Sequence, residues 1–267
     1  MKEFYFLCGL PRAGNTLLSS ILNQNKDILV SPNSVVPEIL YRINEIKNTH
    51  MYNNFPVEDN LNSLLKETLN CFYKNNKQKY IIDRGAWATP YTYNILKNTN
   101  KEIKIIFLVR NILDVLASFI DLCNKNPNFY INKKYNSLDQ STLITDSIET
   151  KCDLLMKEEE MIHKQLYSLK YLLDNKLPFL LIEFDDLIKN TETVIDKIYS
   201  YLKIKKFKHN LNGVEQYRFN KNTYNDDILG APLHNIKKNG IQRSNIGYRN
   251  ILNEQVIKKY SNMEFWK

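Results

Sequence analysis

The chain has 267 residues with 37 Lys and Arg against 29 Asp and Glu, a net charge of +8. No apolar run approaches the roughly 18 residues of a membrane span, and the four cysteines, Cys8, Cys71, Cys123 and Cys152, suit neither a zinc site nor a disulfide framework. The hydrophobic share of 43% is that of a packed globular protein, and the basic surplus points to an anionic partner, with solubility as the plain alternative.

In chain order, short apolar runs at 4–9, 27–31, 80–83, 103–109 and 178–184 read as strands buried on both faces. Helical spacing separates them. The first helix carries Leu17, Leu18, Ile21 and Leu22, and residues 34–48, 59–75, 89–98 and 111–125 read similarly. Residues 138–175 predict one long periodic helical stretch. Beyond about residue 203 the pattern dissolves into a glycine- and lysine-containing loop, closed by a helix near 252–261. Strands alternating with helices predict an α/β fold: one three-layer domain over residues 1–267, with a central parallel sheet flanked by helices, like the P-loop nucleotide hydrolases.

The first strand runs into Gly9-x-x-x-x-Gly14-Asn15-Thr16 and then a helix. This is P-loop spacing with Asn15 in the lysine position and Arg12 inside the loop. A loop of this kind turns backbone N–H groups and the positive end of a helix on one spot, which suits an anion. Arg12 adds a planar fork for phosphate or sulfate. In a nucleoside triphosphatase the missing lysine reaches the phosphates, and a strand-end Asp helps hold Mg²⁺. Here the strand at 103–109 ends in Arg110, a cation that attracts phosphate and repels a metal.

"PRAGNT" at 11–16 resembles the 5′-phosphosulfate loop of the sulfotransferases, which use 3′-phosphoadenosine 5′-phosphosulfate (PAPS). Their 3′-phosphate motif pairs a strand-end Arg with a Ser eight residues on, and "LVRNILDVLASF" supplies Arg110 and Ser118. "FLLIEFDDLIKNTETVIDKIYSYLKI" is similar to a third family segment. The resemblance implies that Arg12, Ala13, Gly14, Asn15 and Thr16 cradle the 5′-phosphosulfate and that Arg110 and Ser118 hold the 3′-phosphate. It places Phe184 by the adenine. It also draws Lys237, Arg243 and Tyr248, in the C-terminal loop, to the nucleotide. Arg12 and Arg84 are then the cations that stabilise the transferred group, with no metal required and 3′-phosphoadenosine 5′-phosphate (PAP) as product.

The resemblance implies a His or Glu as general base, but neither family position is filled. Asp83 and Glu38 are the candidates, each with a structural role as the competing reading. His50, His163, His209 and His234 are scattered and none is assigned as base; His234, in the C-terminal loop, is a candidate cofactor contact. Trp87, Tyr91 and Tyr93 line an acceptor pocket or pack a helix.

The leading expectation is sulfuryl transfer to a hydroxyl of a sugar, glycan or small molecule, in the cytoplasm. A P-loop nucleotide kinase or phosphotransferase stays open. So does a non-enzymatic nucleotide or nucleic-acid binder, although the aromatic-plus-basic repeats of RNA-binding modules are missing and no nucleic-acid partner is expected. The acceptor and the oligomeric state are not specified; residues 31–60 and 126–140 are the expected acceptor loops.

Overall fold

The structure is a computed structural model that describes residues 2–99, 102–137, 147–219, 222–236, 241 and 247–267. Five parallel strands form its centre: β1 (Glu3–Gly9), β2 (Ile28–Asn33), β3 (Tyr80–Arg84), β4 (Ile105–Val109) and β5 (Phe179–Glu183), in the order β2-β3-β1-β4-β5. The predicted α/β architecture is thus the observed one. Every residue of β4 is buried, as its unbroken apolar run requires for a strand covered on both faces. The edge strand β5 is mostly half-buried.

Helices α1 (Asn15–Leu22), α2 (Val36–Glu45), α3 (His50–Asn54), α4 (Glu58–Phe72), α5 (Pro90–Thr99) and α6 (Ile112–Lys125) interleave with the first four strands. After α6 come α7 (Tyr130–Asn136), α8 (Ile148–Leu155) and α9 (Met161–Asp174). Then β5 leads into α10 (Phe184–Lys189) and α11 (Thr191–Leu202), and α12 (Glu254–Tyr260) closes the chain. Packing is tight where the sheet meets these layers: Leu7, Leu18, Ile82 and Phe107 have no exposed surface.

The stretch at 138–175 differs from its expectation. Its described part is two helices, α8 and α9, separated by turns at 156–160. The run Lys157-Glu158-Glu159-Glu160 sets three like charges side by side. Breaking the helix there turns Glu160 inward, where its buried carboxylate pairs with Lys134 of α7. Within its described residues the chain from 203 to 236 carries a short turn of 3₁₀-helix at Asp226–Ile228 and an isolated antiparallel bridge between Phe219 and Asn222.

Parallel pairing brings the strands' carboxyl ends together. Leu7 lies opposite Arg84, Gly9 opposite Leu108, and Val109 opposite Glu183. The loops leaving β1, β3, β4 and β5 therefore open on the same edge of the sheet, where ligands of such folds bind.

Candidate functional site

A cavity of about 1040 Å³ opens at that edge. Gly9, Pro11, Arg12, Gly14, Asn15 and Thr16 form one wall, with Arg84, Arg110, Ser118, Phe184 and His234 around it, whereas the side chain of Ala13, named from sequence with this loop, is buried in the core. The loop from β1 is shaped by its own residues. Arg12 sits at φ 63°, a left-handed conformation that a long side chain adopts only under constraint. Its carbonyl accepts from Arg110 Nη1 at 2.9 Å. Gly14 turns the chain at φ 87°, and a Cβ there would lie 3.0 Å from the Phe184 ring. No side chain caps the amino end of α1, so its positive pole faces the cavity uncovered.

Asn15 explains how a P-loop stands without its lysine. Its amide Nδ2 donates to the Leu10 carbonyl at 2.8 Å and ties the loop to itself. The lysine position serves the loop's shape here.

Arg12 and Arg84 bring positive charge to the cavity, beside Arg110, Lys125 and Lys164. Arg12 donates from Nε to Ser118 Oγ at 3.0 Å and from Nη1 to the Leu233 carbonyl at 2.5 Å. Arg84 donates from Nη1 to Thr16 Oγ1 at 3.2 Å and to the Tyr224 hydroxyl at 3.0 Å. All four acceptors are neutral. Burial lowers both arginines from their ordinary value, and for Arg12 Asp226 and Asp121 oppose the shift. A guanidinium stays charged even so. Arg110 lies over the Phe184 ring, 4.4 Å from its centroid, so one face of that ring is already covered.

A family model described as a sulfotransferase domain matches residues 3–229. The chain belongs to the sulfotransferase family. This sulfotransferase is similar in fold to the sulfotransferase domain of the olefin synthase of Synechococcus PCC 7002. The two share 15% identity over 85% of this chain and 82% of that one, with a TM-score of 0.54. Mouse sulfotransferase SULT7A1, solved in complex with PAP, is 14% identical over 98% of this chain and 83% of its own, with a TM-score of 0.51. No curated protein sequence matches the chain.

Several candidates named from sequence are not brought to the cavity of this sulfotransferase. Asp83 is fully buried. Its Oδ2 accepts from Tyr73 at 2.5 Å and Ser34 at 2.8 Å, and its Oδ1 from Trp87 Nε1 at 2.8 Å. Burial pushes the carboxyl up to about 6 against these three donors. Successive strand residues face opposite ways, so a chain that aims Arg84 at the cavity turns Asp83 away from it. Glu38 is exposed on α2 and pairs with Arg42 one turn on, at 2.7 Å. The structure thus places both proposed bases elsewhere. Tyr248 packs on the hydrophobic core with Arg249 over its ring, outside the cavity wall. Lys237 and Arg243 lie outside the described residues. Trp87 is buried against Phe6, Tyr93 is buried in the core, and Tyr91 donates to Tyr41 O and Glu45, so these aromatics pack helices.

One histidine that sequence did not assign as base does reach the cavity. His234 places Nδ1 2.6 Å from Asp226 Oδ1 and donates its backbone N–H to Asp226 Oδ2 at 2.9 Å. Its ring stacks on Tyr224, centroids 3.8 Å apart and planes within 8°. Spacing of eight residues inside an aperiodic loop gives no signal for this pairing. Of the other histidines, His209 is engaged by Tyr199 at 3.0 Å, and neither His50 nor His163 lines the cavity. No helix among the described residues is long and apolar enough to cross a membrane.

Proposed function

We propose that this sulfotransferase moves a sulfuryl group from PAPS to a hydroxyl of a sugar, glycan or small-molecule acceptor. The observation that carries the reading is the pair Arg12 and Arg84. Both guanidiniums line one cavity beside an uncapped helix end, and neither pairs with a carboxylate among the described residues. Half-buried cations without a counter-ion call for an anion. The cavity is also of a size for a nucleotide. That SULT7A1 was solved with PAP supports the same donor.

On this reading PAPS supplies the sulfuryl group, and the residues around it bind and orient. The N–H groups from Arg12 to Thr16, with the Thr16 hydroxyl, hold the 5′-phosphosulfate. Arg110 and Ser118 hold the 3′-phosphate, which would draw Ser118 from its bond to Arg12. Phe184 offers the adenine only the face that Arg110 leaves open. Arg12 and Arg84 stabilise charge on the transferred group and the bridging oxygen. With a cation at the end of β4 and the lysine position turned inward, the site works without a metal. None of the four cysteines is held in a disulfide, and we place the protein in a reducing, cytoplasmic setting. We take the whole chain, 1–267, as one domain.

Calorimetric titration with PAP, against ATP plus Mg²⁺, tests this. Tight binding of PAP in the presence of a chelator, with ATP weak, is the expected result. Preference for ATP with Mg²⁺ would put a phosphotransferase in its place.

A further inference from the structure

We propose that His234 is the general base of this sulfotransferase, positioned by Asp226, and that its Nε2 takes the proton of the acceptor hydroxyl. The inference rests on the sulfuryl-transfer reading above and assigns the one role which that reading leaves empty.

The tautomer follows from the hydrogen bonds. Asp226 lies 2.6 Å from Nδ1 and also accepts the backbone N–H of His234. A carboxylate accepts, so Nδ1 carries the hydrogen and Nε2 is left with a lone pair. Nε2 has no hydrogen-bond partner among the described residues, and His234 lines the cavity. A histidine with one nitrogen on a carboxylate and the other open to a cleft is the arrangement that general-base catalysis uses.

The ring is held on one face and at Nδ1, and the backbone that carries it is fixed as well. Tyr224 stacks against it. Gln216 donates to the His234 carbonyl at 3.0 Å and accepts from Ile236 N at 2.8 Å, clamping the backbone on both sides of Asn235. Arg12 donates to the carbonyl of the preceding residue, Leu233. The same residues tie it to the anion site: Tyr224, under the imidazole, accepts from Arg84, which also donates to Thr16. Arg12 of the loop and Arg84 of β3 thus both contact the segment that carries the base, so the imidazole stands beside the anion site.

Four groups face the imidazole: Asp226, Tyr224, Arg84 and Arg12. Burial, Arg84 and Arg12 lower its proton affinity from the ordinary value, and Asp226 opposes them. The ring is therefore neutral and able to accept near pH 7. Of the other carboxylates of the cavity, Asp121 pairs with Lys125 at 2.7 Å and Glu160 with Lys134, while Glu159 stands exposed to solvent on the turn between α8 and α9. His234 also lies beyond residues 3–229, the span of the family match.

The step balances simply. The acceptor oxygen forms its bond to sulfur as its O–H bond breaks and the proton passes to Nε2. The bond from sulfur to the 5′-phosphate oxygen breaks, and its electron pair leaves on that oxygen as PAP. Nothing is oxidised or reduced, and Asp226 faces the resulting imidazolium.

The test uses the full chain with His234→Ala and Asp226→Asn, and three readouts. PAP affinity by calorimetry should stay within ~3-fold of wild type in both, since neither residue serves donor binding. PAPS consumption, with p-nitrophenol and with water as probe acceptors, should fall at least ~100-fold in His234→Ala, with loss of the acidic limb of the kcat/KM profile. Imidazole ¹⁵N spectra of the PAP complex should show the Nδ1–H tautomer in wild type and its loss of definition in Asp226→Asn. Where neither probe accepts, the spectra decide. Wild-type turnover in His234→Ala with an intact acidic limb, or an Nε2–H tautomer, overturns the assignment while the donor reading stands. Failure of the wild-type chain to bind PAP overturns the donor reading and the base with it.

Discussion

Arg84, the last residue of β3, bonds across to Thr16 at the head of α1, 3.2 Å away. It matches, from the other side of β1, the reach of Arg110 at the end of β4 to the Arg12 carbonyl of the same loop. Removing it should act on the reaction more than on binding. Arg84→Ala should lower kcat by about 10²–10³, the usual cost of losing one preorganised donor to a developing charge. Rates measured at saturating PAPS, with PAP affinity alongside, check the split; equal loss in both would make Arg84 a binding residue.

Arg12→Ala and Arg110→Ala should instead weaken PAP. Each loses a charge-assisted hydrogen bond, worth about 2–3 kcal/mol. Calorimetry on well-folded variants measures it, and unchanged affinity in both would remove these residues from the site.

Gly14→Ala should destabilise the fold by roughly 1–3 kcal/mol. The backbone there is left-handed at φ 87°, and the added Cβ would press on Phe184. Thermal unfolding reports the cost.

Asp83 bears on stability, and its pH dependence has a definite sign. Asp83→Ala leaves the Tyr73, Ser34 and Trp87 donors without their acceptor. The expected cost is about 3 kcal/mol or more, from several buried groups left unsatisfied at once. The carboxyl is raised from 3.8 to about 6 in the fold, so the folded chain binds this proton more tightly than the unfolded one. Its contribution is full below about pH 4 and is lost as pH rises through about 6. Urea titrations of wild type against Asp83→Asn should show that difference shrinking across the same window.

The strands and the loop were readable because their signals are local. An apolar run such as β4 and a glycine spacing such as Gly9 to Gly14 need no partner to be recognised. Asp83 misled because a strand-end position does not reveal on which side of the pleat its side chain falls. The break at 156–160 was hidden by apolar periodicity on both sides, and its cause, the inward turn of Glu160 to Lys134, is a tertiary pairing. His234 had no periodic context at all. Only the folded loop shows that Asp226, eight residues back, holds both its ring and its backbone.

The Asn15 amide, bonded to Leu10, has a consequence for how the protein meets its ligand. In a loop whose side chain at that position waits for a phosphate, part of the ordering happens on binding. Here the stitch is internal, so the concave surface is complete beforehand and little conformational freedom remains to be lost. Replacing Asn15 with lysine would then supply a familiar motif on paper while removing the bond to Leu10 that shapes the loop.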